Sequence, residues 1–254
     1  MRAKVRLFVQ NELAAGTEAV IDGDRAHYVG RVMRLGAGDP LRVFDGRSGE
    51  WLACVVSSGR GEVRLRIETQ LRPQLAEPGP SVLFAPLKKD AQDFLVEKAT
   101  ELGAECLLPV ATRFTSVARV NLERLRAQSI EAAEQTGRLT IPQVEPLQSL
   151  EAALAAWSPS RPLLFLDERG AGAPIAEAAA AMAAEGQALP PPGLLVGPEG
   201  GFAAEEATAI AQMPFVVPVS LGPRILRAET AVIAALACWQ ALAGDWRPGN
   251  DSET

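Results

Sequence analysis

Two glycine-rich stretches carry charged residues at spacings suited to ligand chemistry. One is Leu195-Val196-Gly197-Pro198-Glu199-Gly200-Gly201-Phe202, and the other is Ser220-Leu221-Gly222-Pro223-Arg224-Ile225-Leu226-Arg227-Ala228-Glu229-Thr230-Ala231. Glycine lets a backbone come close to a ligand, because no Cβ intervenes. Pro198 and Pro223 stiffen the two loops. Arg224 and Arg227 are suited to clamping a phosphate, another anion or a carbonyl that gains negative charge. Glu199 can act as a general base or accept from ligand hydroxyl and amino groups. Glu229 opens a helical pattern, where a carboxylate also serves the helix dipole. A third group, Glu134-Gln135-Thr136-Gly137-Arg138, closes a helix; Arg138 can meet an anion or complement the helix C-terminus. Neither loop is a G-x-x-x-x-G-K-[ST] or a G-x-G-x-x-G stretch, so the standard nucleotide fingerprints are absent.

These residues need strand ends and helix starts to hold them. From Ser81 onward, short apolar runs alternate with helical patterns. Strands are expected at Val82-Leu83-Phe84-Ala85, Cys106-Leu107-Leu108-Pro109-Val110, Leu163-Leu164-Phe165-Leu166-Asp167, 194–196 and 215–219. Helices are expected over 89–102, stopped by Gly103, and over 121–136, capped by Asn121 and closed by Gly137. Others are expected over 175–184, 203–212 and 229–243. This alternation implies an α/β fold with a mostly parallel sheet, whose ligand sites lie at the carboxyl ends of strands. The last helix carries Val232, Ile233, Leu236, Trp239 and Leu242, a face for the core or for a second subunit.

Residues 1–72 follow a different pattern. Leu41-Arg42-Val43-Phe44 and 50–56 flank Asp45-Gly46-Arg47-Ser48-Gly49, a hairpin with Asp-Gly turn chemistry. Ser58-Gly59-Arg60-Gly61 makes the next turn, and Val63-Arg64-Leu65-Arg66-Ile67-Glu68 alternates strictly, leaving Arg64 and Arg66 on the outer face. A short helix over 24–35 offers His27, Arg31 and Arg34 on its polar side. Several short strands with glycine turns suggest a small β-barrel over 1–72. Pro73, Pro78, Gly79 and Pro80 mark a linker over 73–80, and residues 245–254 form a polar tail after the 81–244 domain.

Charge is segregated along these divisions. Residues 1–72 hold 12 Lys and Arg against 9 Asp and Glu, a net of +3, and residues 73–254 hold 13 against 22, a net of −9. A basic front on an acidic body fits an electrostatic footprint for nucleic acid in the first segment. The three cysteines, Cys54, Cys106 and Cys238, are scattered, which argues against a disulfide framework and fits the reducing cytoplasm. His27 is the single histidine, so a His-rich metal site is excluded, and no metal is expected. The charged start Met1-Arg2-Ala3-Lys4-Val5-Arg6 lacks a following apolar core, so no signal peptide or membrane span is expected.

Taken together, these stretches resemble the 16S ribosomal RNA uracil-N3 methyltransferases of the SPOUT class. The resemblance rests on the two glycine loops and on Glu134 to Arg138. It is extended by Glu97-Lys98-Ala99-Thr100-Glu101-Leu102-Gly103, and by His27-Tyr28-Val29-Gly30-Arg31-Val32-Met33-Arg34-Leu35 followed by Gly38-Asp39 and Asp45-Gly46. It covers nearly the whole chain in order. The chain departs from it at Arg113-Phe114-Thr115-Ser116-Val117, where Phe114 and Thr115 replace an expected Glu-Arg pair.

The resemblance implies an N-terminal PUA-like β-barrel that binds RNA through His27, Arg31, Arg34, Arg64, Arg66 and Arg138. It implies a C-terminal SPOUT α/β-knot (trefoil) domain that binds S-adenosyl-L-methionine, in a homodimer whose two subunits complete the sites. The cofactor would lie against Leu166, Val196, Gly197, Pro198, Glu199, Gly200, Gly201, Leu221, Gly222, Ile225, Leu226, Arg227, Ala228 and Thr230. The partner would be 16S ribosomal RNA or the assembled small ribosomal subunit. The uracil N3–H is a weak acid, so its proton must be removed and the resulting anion stabilised. Arg138, Arg224 and Arg227 are the candidates for the anion, and Glu199 and Glu229 for the proton. A related target (a ribose 2′-hydroxyl or a guanine) and a non-catalytic role as an RNA-binding or assembly factor are the alternatives.

Overall fold

Strand β5 (Glu62–Arg72) shows how the first segment folds. Val63, Leu65 and Ile67 are fully buried while Arg64, Arg66 and Glu68 face solvent, the two-residue period of a sheet with one covered face. In the computed structural model of the chain, residues 3–59, 61–117, 119–169, 172–184 and 190–247 are described. The expected turn residue Arg60 and the tail beyond residue 247 lie outside them.

Tertiary contacts divide the chain into two compact units. The first is Met1–Glu77 with Ala133–Ile141, and the second is Pro78–Ala132 with Pro142–Thr254. The first unit holds β1 (Arg6–Phe8), β2 (Glu18–Asp22), β3 (Pro40–Phe44), β4 (Glu50–Ser58) and β5, in the sheet order β1-β3-β4-β5-β2. The hairpin β3–β4 turns where Asp45 accepts from the Arg47 and Ser48 amides at 2.9 and 2.7 Å, and Gly46 adopts φ +79°. The segment expected to be one short helix is α1 (Gly23–His27) running into a π-helical turn over Tyr28–Val32. β1 escaped the sequence reading because it has three residues, too few to show a period.

Residues 133–141 cluster with this first unit, although their sequence position lies inside the second. The physical reason is hydrogen bonding. Arg6 donates to the carbonyls of Ala133 and Arg138 at 2.6 and 2.7 Å, and Arg72 donates to Gly137 O at 2.8 Å. Glu134 accepts from the Phe8 amide at 2.8 Å and pairs with Arg25. The cations thereby satisfy carbonyls that the end of a helix leaves open.

The second unit is a parallel sheet. Its strands are β6 (Ser81–Phe84), β7 (Cys106–Ala111), β8 (Gln143–Val144), β9 (Gln148–Ser149), β10 (Leu163–Leu166), β11 (Ala173–Pro174), β12 (Gly193–Val196) and β13 (Val216–Ser220). The order is β11-β13-β10-β12-β6-β7-β8, with β9 paired to the far end of β7. Alternate residues of one strand enter different cores. Val82, Phe84, Leu164, Leu166, Leu194 and Val196 pack on one side, and Leu83, Leu163, Phe165 and Leu195 on the other. Both faces are covered, which is why these strands are continuous apolar runs. The first core is roofed by α2 (Lys89–Glu101), the early turns of α3 (Leu122–Thr136), α5 (Ile175–Ala184) and α7 (Ala228–Leu242). The second is roofed by α4 (Leu150–Ala156) and α6 (Ala204–Ala211). On α7, Val232, Leu236 and Trp239 are buried in the chain's own core, and Ile233 and Leu242 are half-buried.

The Asn121 carbonyl and side chain open α3, with Oδ1 accepting from the Arg124 amide at 3.0 Å. Asn121→Ala removes that partner and is expected to cost about 1 kcal/mol. Urea denaturation measures it, and an unchanged midpoint would show that the cap contributes nothing.

Candidate functional site

Parallel strands end on one edge of the sheet, and the loops that leave β6, β10, β12 and β13 share a cavity of about 800 Å³. That size suits a small-molecule ligand. Its lining includes the apolar side chains of Leu166, Val196, Val219, Leu221, Ile225, Leu226 and Ala228, with bare backbone at Gly197, Gly201 and Gly222.

Local geometry explains the glycines. Gly201 adopts φ +69° and its amide donates to Pro198 O at 2.9 Å, closing a turn that L side chains resist. A β-carbon at Gly201 would overlap the Glu168 carboxylate. A β-carbon at Gly197 would lie 2.7 Å from the Phe202 ring, which packs edge-on against Phe165 at 5.1 Å. Gly222 adopts φ +97°, and its amide donates to Ser220 Oγ at 3.2 Å.

Charged groups line the same cavity. Arg224, Arg227, Glu199 and Glu229 all line the cavity, together with Lys88, Lys89, Asp90 and Glu168. Among the described residues, neither Arg224 nor Arg227 is held in an ion pair. Arg227 is the N-cap of α7, with extended backbone (φ −65°, ψ 154°), so its carbonyl accepts from Ala231 while its side chain is exposed. Asp167 differs: its buried carboxylate takes the Arg169 side chain at 2.8–3.1 Å and the Arg169 amide at 3.0 Å. The Arg169 hydrogen bonds hold its carboxyl below the usual carboxylate range, against the opposing effect of burial.

Of the residues singled out for the cofactor, Leu166, Val196, Gly197, Pro198, Glu199, Gly201, Leu221, Gly222, Ile225, Leu226, Arg227 and Ala228 line this one cavity. Gly200 and Thr230 do not. Arg138 is not brought to the cavity lining either. It lies in the first unit, buried, with Nε 3.1 Å from Thr140 Oγ1 and 3.4 Å from Glu77. His27, Arg31, Arg34, Arg64 and Arg66 are exposed in the first unit. Arg64 pairs there with Glu62 at 2.7 Å, and Arg66 stands opposite Glu18 in the β2–β5 register.

The sequence reading missed Lys88, Lys89 and Asp90 as cavity residues; Asp167 and Glu168, at the end of the third expected strand, and Phe202, in the first glycine stretch, line it as well. The signal was present for the first three. They follow the apolar run of β6, and the strand-end rule applied to β12 and β13 holds there too.

Comparison with known proteins identifies both parts of the chain. A family model described as an RNA methyltransferase domain matches residues 78–240, and one described as an RNA methyltransferase PUA domain matches residues 21–68. The chain is 32% identical to ribosomal RNA small subunit methyltransferase E of Rickettsia conorii, covering 91% of this chain and 93% of that one. It is 34% identical to the protein of that name from Mycobacterium bovis, covering 91% and 89%. A crystal structure of ribosomal RNA small subunit methyltransferase E from Neisseria gonorrhoeae, bound to S-adenosyl methionine, superposes with a TM-score of 0.81 at 25% identity, covering 96% and 99%. With both domain matches and the relatives in agreement, the chain belongs to the RNA methyltransferase family that includes ribosomal RNA small subunit methyltransferase E.

Proposed function

We propose that this protein methylates N3 of a specific uridine in the 16S ribosomal RNA of the small ribosomal subunit, using S-adenosylmethionine. The observation that carries the reading is the cavity at the ends of β10, β12 and β13, where two glycine loops converge with two arginines that have no ion-pair partner among the described residues. Its walls suit the cofactor. Apolar side chains of Leu166, Val196, Leu221, Ile225 and Leu226 can sandwich a flat purine, and the glycines leave backbone amides and carbonyls within reach of its polar edge. Bound there, S-adenosylmethionine supplies a methyl group already activated on a sulfonium.

The chain's residues then have three tasks. The loops hold donor and base in line, which accounts for much of the rate in a reaction whose donor is already activated. Glu199 or Glu229 takes the N3 proton, directly or through water. Arg224 and Arg227 stabilise the anion that spreads onto the neighbouring uracil carbonyls. Of the three arginine candidates, these two line the cavity, so the clamp is assigned to them.

Residues 1–72 act as a PUA-like RNA-binding barrel, through His27, Arg31, Arg34 and Arg66 on its exposed side. The linker is residues 73–80, and residues 81–244 form a SPOUT domain with a knotted C-terminal part. The strand order supports the knot: β13, the last strand, enters between β10 and β11, both laid down before it. The protein works as a homodimer in the cytoplasm. Among the described residues no helix is long and apolar enough to cross a membrane.

Gly197→Ala tests the cofactor assignment. The new methyl group would meet the Phe202 ring, whose partner Phe165 is in the core, so the loop must shift. Overpacking of this kind is expected to weaken cofactor binding about tenfold by calorimetry. Unchanged affinity would place the cofactor elsewhere.

The activity itself is tested on small ribosomal subunits from cells lacking the gene. They are incubated with the protein and S-adenosylmethionine, and the nucleosides are analysed by mass spectrometry. New 3-methyluridine is the expected product. A 2′-O-methylated nucleoside or a methylguanosine would keep the methyl transfer and overturn the base. Particle binding without any methylation would favour an assembly factor.

A further inference from the structure

Phe114 stands on the loop that leaves β7, beside the glycine loop of β12. It is 49% exposed, yet the turn that bears it is firmly held. The Thr115 amide donates to Thr112 O at 3.1 Å, and the Thr112 amide donates to Thr115 Oγ1 at 2.8 Å. The two threonine hydroxyls lie 3.0 Å apart. The Arg113 amide donates to Glu206 Oε1 at 2.8 Å, and the other oxygen of Glu206 accepts from the Ala203 amide at 3.1 Å. The turn is thus tied to the start of α6, directly after the glycine loop of β12. A β-carbon at Gly200 would lie 3.5 Å from Phe114 Cβ, so the phenylalanine stem stands against the loop whose neighbours Pro198, Glu199 and Gly201 line the cavity.

About half of the Phe114 side chain is exposed, so part of its ring is open to a ligand. The other aromatic beside this loop, Phe202, is already packed edge-on against Phe165. A base extruded from RNA needs a flat apolar surface to replace the stacking it gives up. Stacking also leaves the edges of the ring free, so N3 and the flanking carbonyls remain available to in-plane groups.

We infer that Phe114 is the platform on which the target uracil stacks while its N3 edge is presented to the cavity. The inference rests on the methyl-transfer reading above and assigns the base its orienting contact.

Three variants test it: F114A, F114L and F114W. Loss of one base–aromatic stack is expected to lower kcat/KM for small subunits about tenfold in F114A. F114L, similar in size and apolarity but without a π-face, should fall equally. F114W should remain within about threefold of wild type, as stacking tolerates any aromatic. Affinity for S-adenosylmethionine should be unchanged in all three. Wild-type kcat/KM in F114L would overturn the platform, and weakened cofactor binding in all three would assign Phe114 to loop support instead. A second readout does not need catalysis: in F114W, single-stranded oligouridylate should quench the introduced tryptophan beyond any quenching seen in wild type. If wild-type protein yields no methylated uridine, the methyl-transfer reading fails, and this quenching decides the stack alone, its absence overturning it.

Discussion

Arg227→Ala is expected to lower the methylation rate of small ribosomal subunits about 100- to 1000-fold, the range seen when a preorganised donor to a developing anion is removed. Arg227 lines the cavity and has no carboxylate partner among the described residues, so its charge is available to the substrate. The uracil becomes an anion only as the N3 proton leaves, so an interaction with that anion acts on the rate rather than on ground-state binding. Affinity for S-adenosylmethionine should therefore stay within about threefold in the variant. Arg227→Lys should recover part of the loss, because a point charge replaces a planar fork. The measurement is a single-turnover rate at saturating cofactor, with the dissociation constant determined separately. Equal rates for variant and wild type would remove Arg227 from the clamp and leave Arg224 to be tested in the same way.

Glu50→Ala is expected to destabilise the first unit by about 3–5 kcal/mol, because breaking a buried ion pair strands the remaining charge. The Glu50 side chain is 2% exposed and accepts from Arg6 Nε at 2.7 Å and Arg42 Nη1 at 3.2 Å, with Arg72 Nη1 at 3.7 Å. Arg42 and Arg72 are partly solvated and can turn outward. Arg6 cannot: its side chain is 3% exposed, and its guanidinium lies 3.8 Å over the Phe44 ring. Burial already pushes the Arg6 guanidinium below its ordinary value, with Glu50 opposing that shift. Removing the carboxylate leaves the burial and takes away the opposition. Urea denaturation followed by circular dichroism gives the loss. A variant within about 1 kcal/mol of wild type would mean that solvent or another carboxylate reaches Arg6. Replacing both partners by apolar residues, Arg6→Met with Glu50→Leu, should cost less than Glu50→Ala, because no charge is then stranded.

Arg6 also shows where sequence reasoning stops. As part of Met1-Arg2-Ala3-Lys4-Val5-Arg6 it reads as one more surface cation, and three-residue β1 has no period to reveal it. Its burial depends on Glu50, 44 positions away, and on carbonyls of Ala133 and Arg138, more than 120 positions away. The same long-range bonds carry residues 133–141 into the first unit and leave Arg138 buried beside Glu77, outside the cavity lining. Lys88 was within reach of the strand-end rule, although its loop carries no glycine that sets it apart from other strand ends.

By contrast, the helix over Ile175–Ala184, the Asn121 cap, the Asp-Gly hairpin and the strand–loop–helix setting of both glycine loops were legible from residue order. So was the alternation of β5, with its outward Arg64 and Arg66. These features follow from backbone preferences and side-chain period, which act over a few neighbouring residues. The strand order β13-β10-β12, the convergence of the loops from β6, β10, β12 and β13 on one cavity, and the burial of Arg6 were decided by the tertiary structure. Their cause is physical: a strand's faces are set by its own sequence, but its neighbours are set by which distant apolar runs and open hydrogen bonds can be satisfied together.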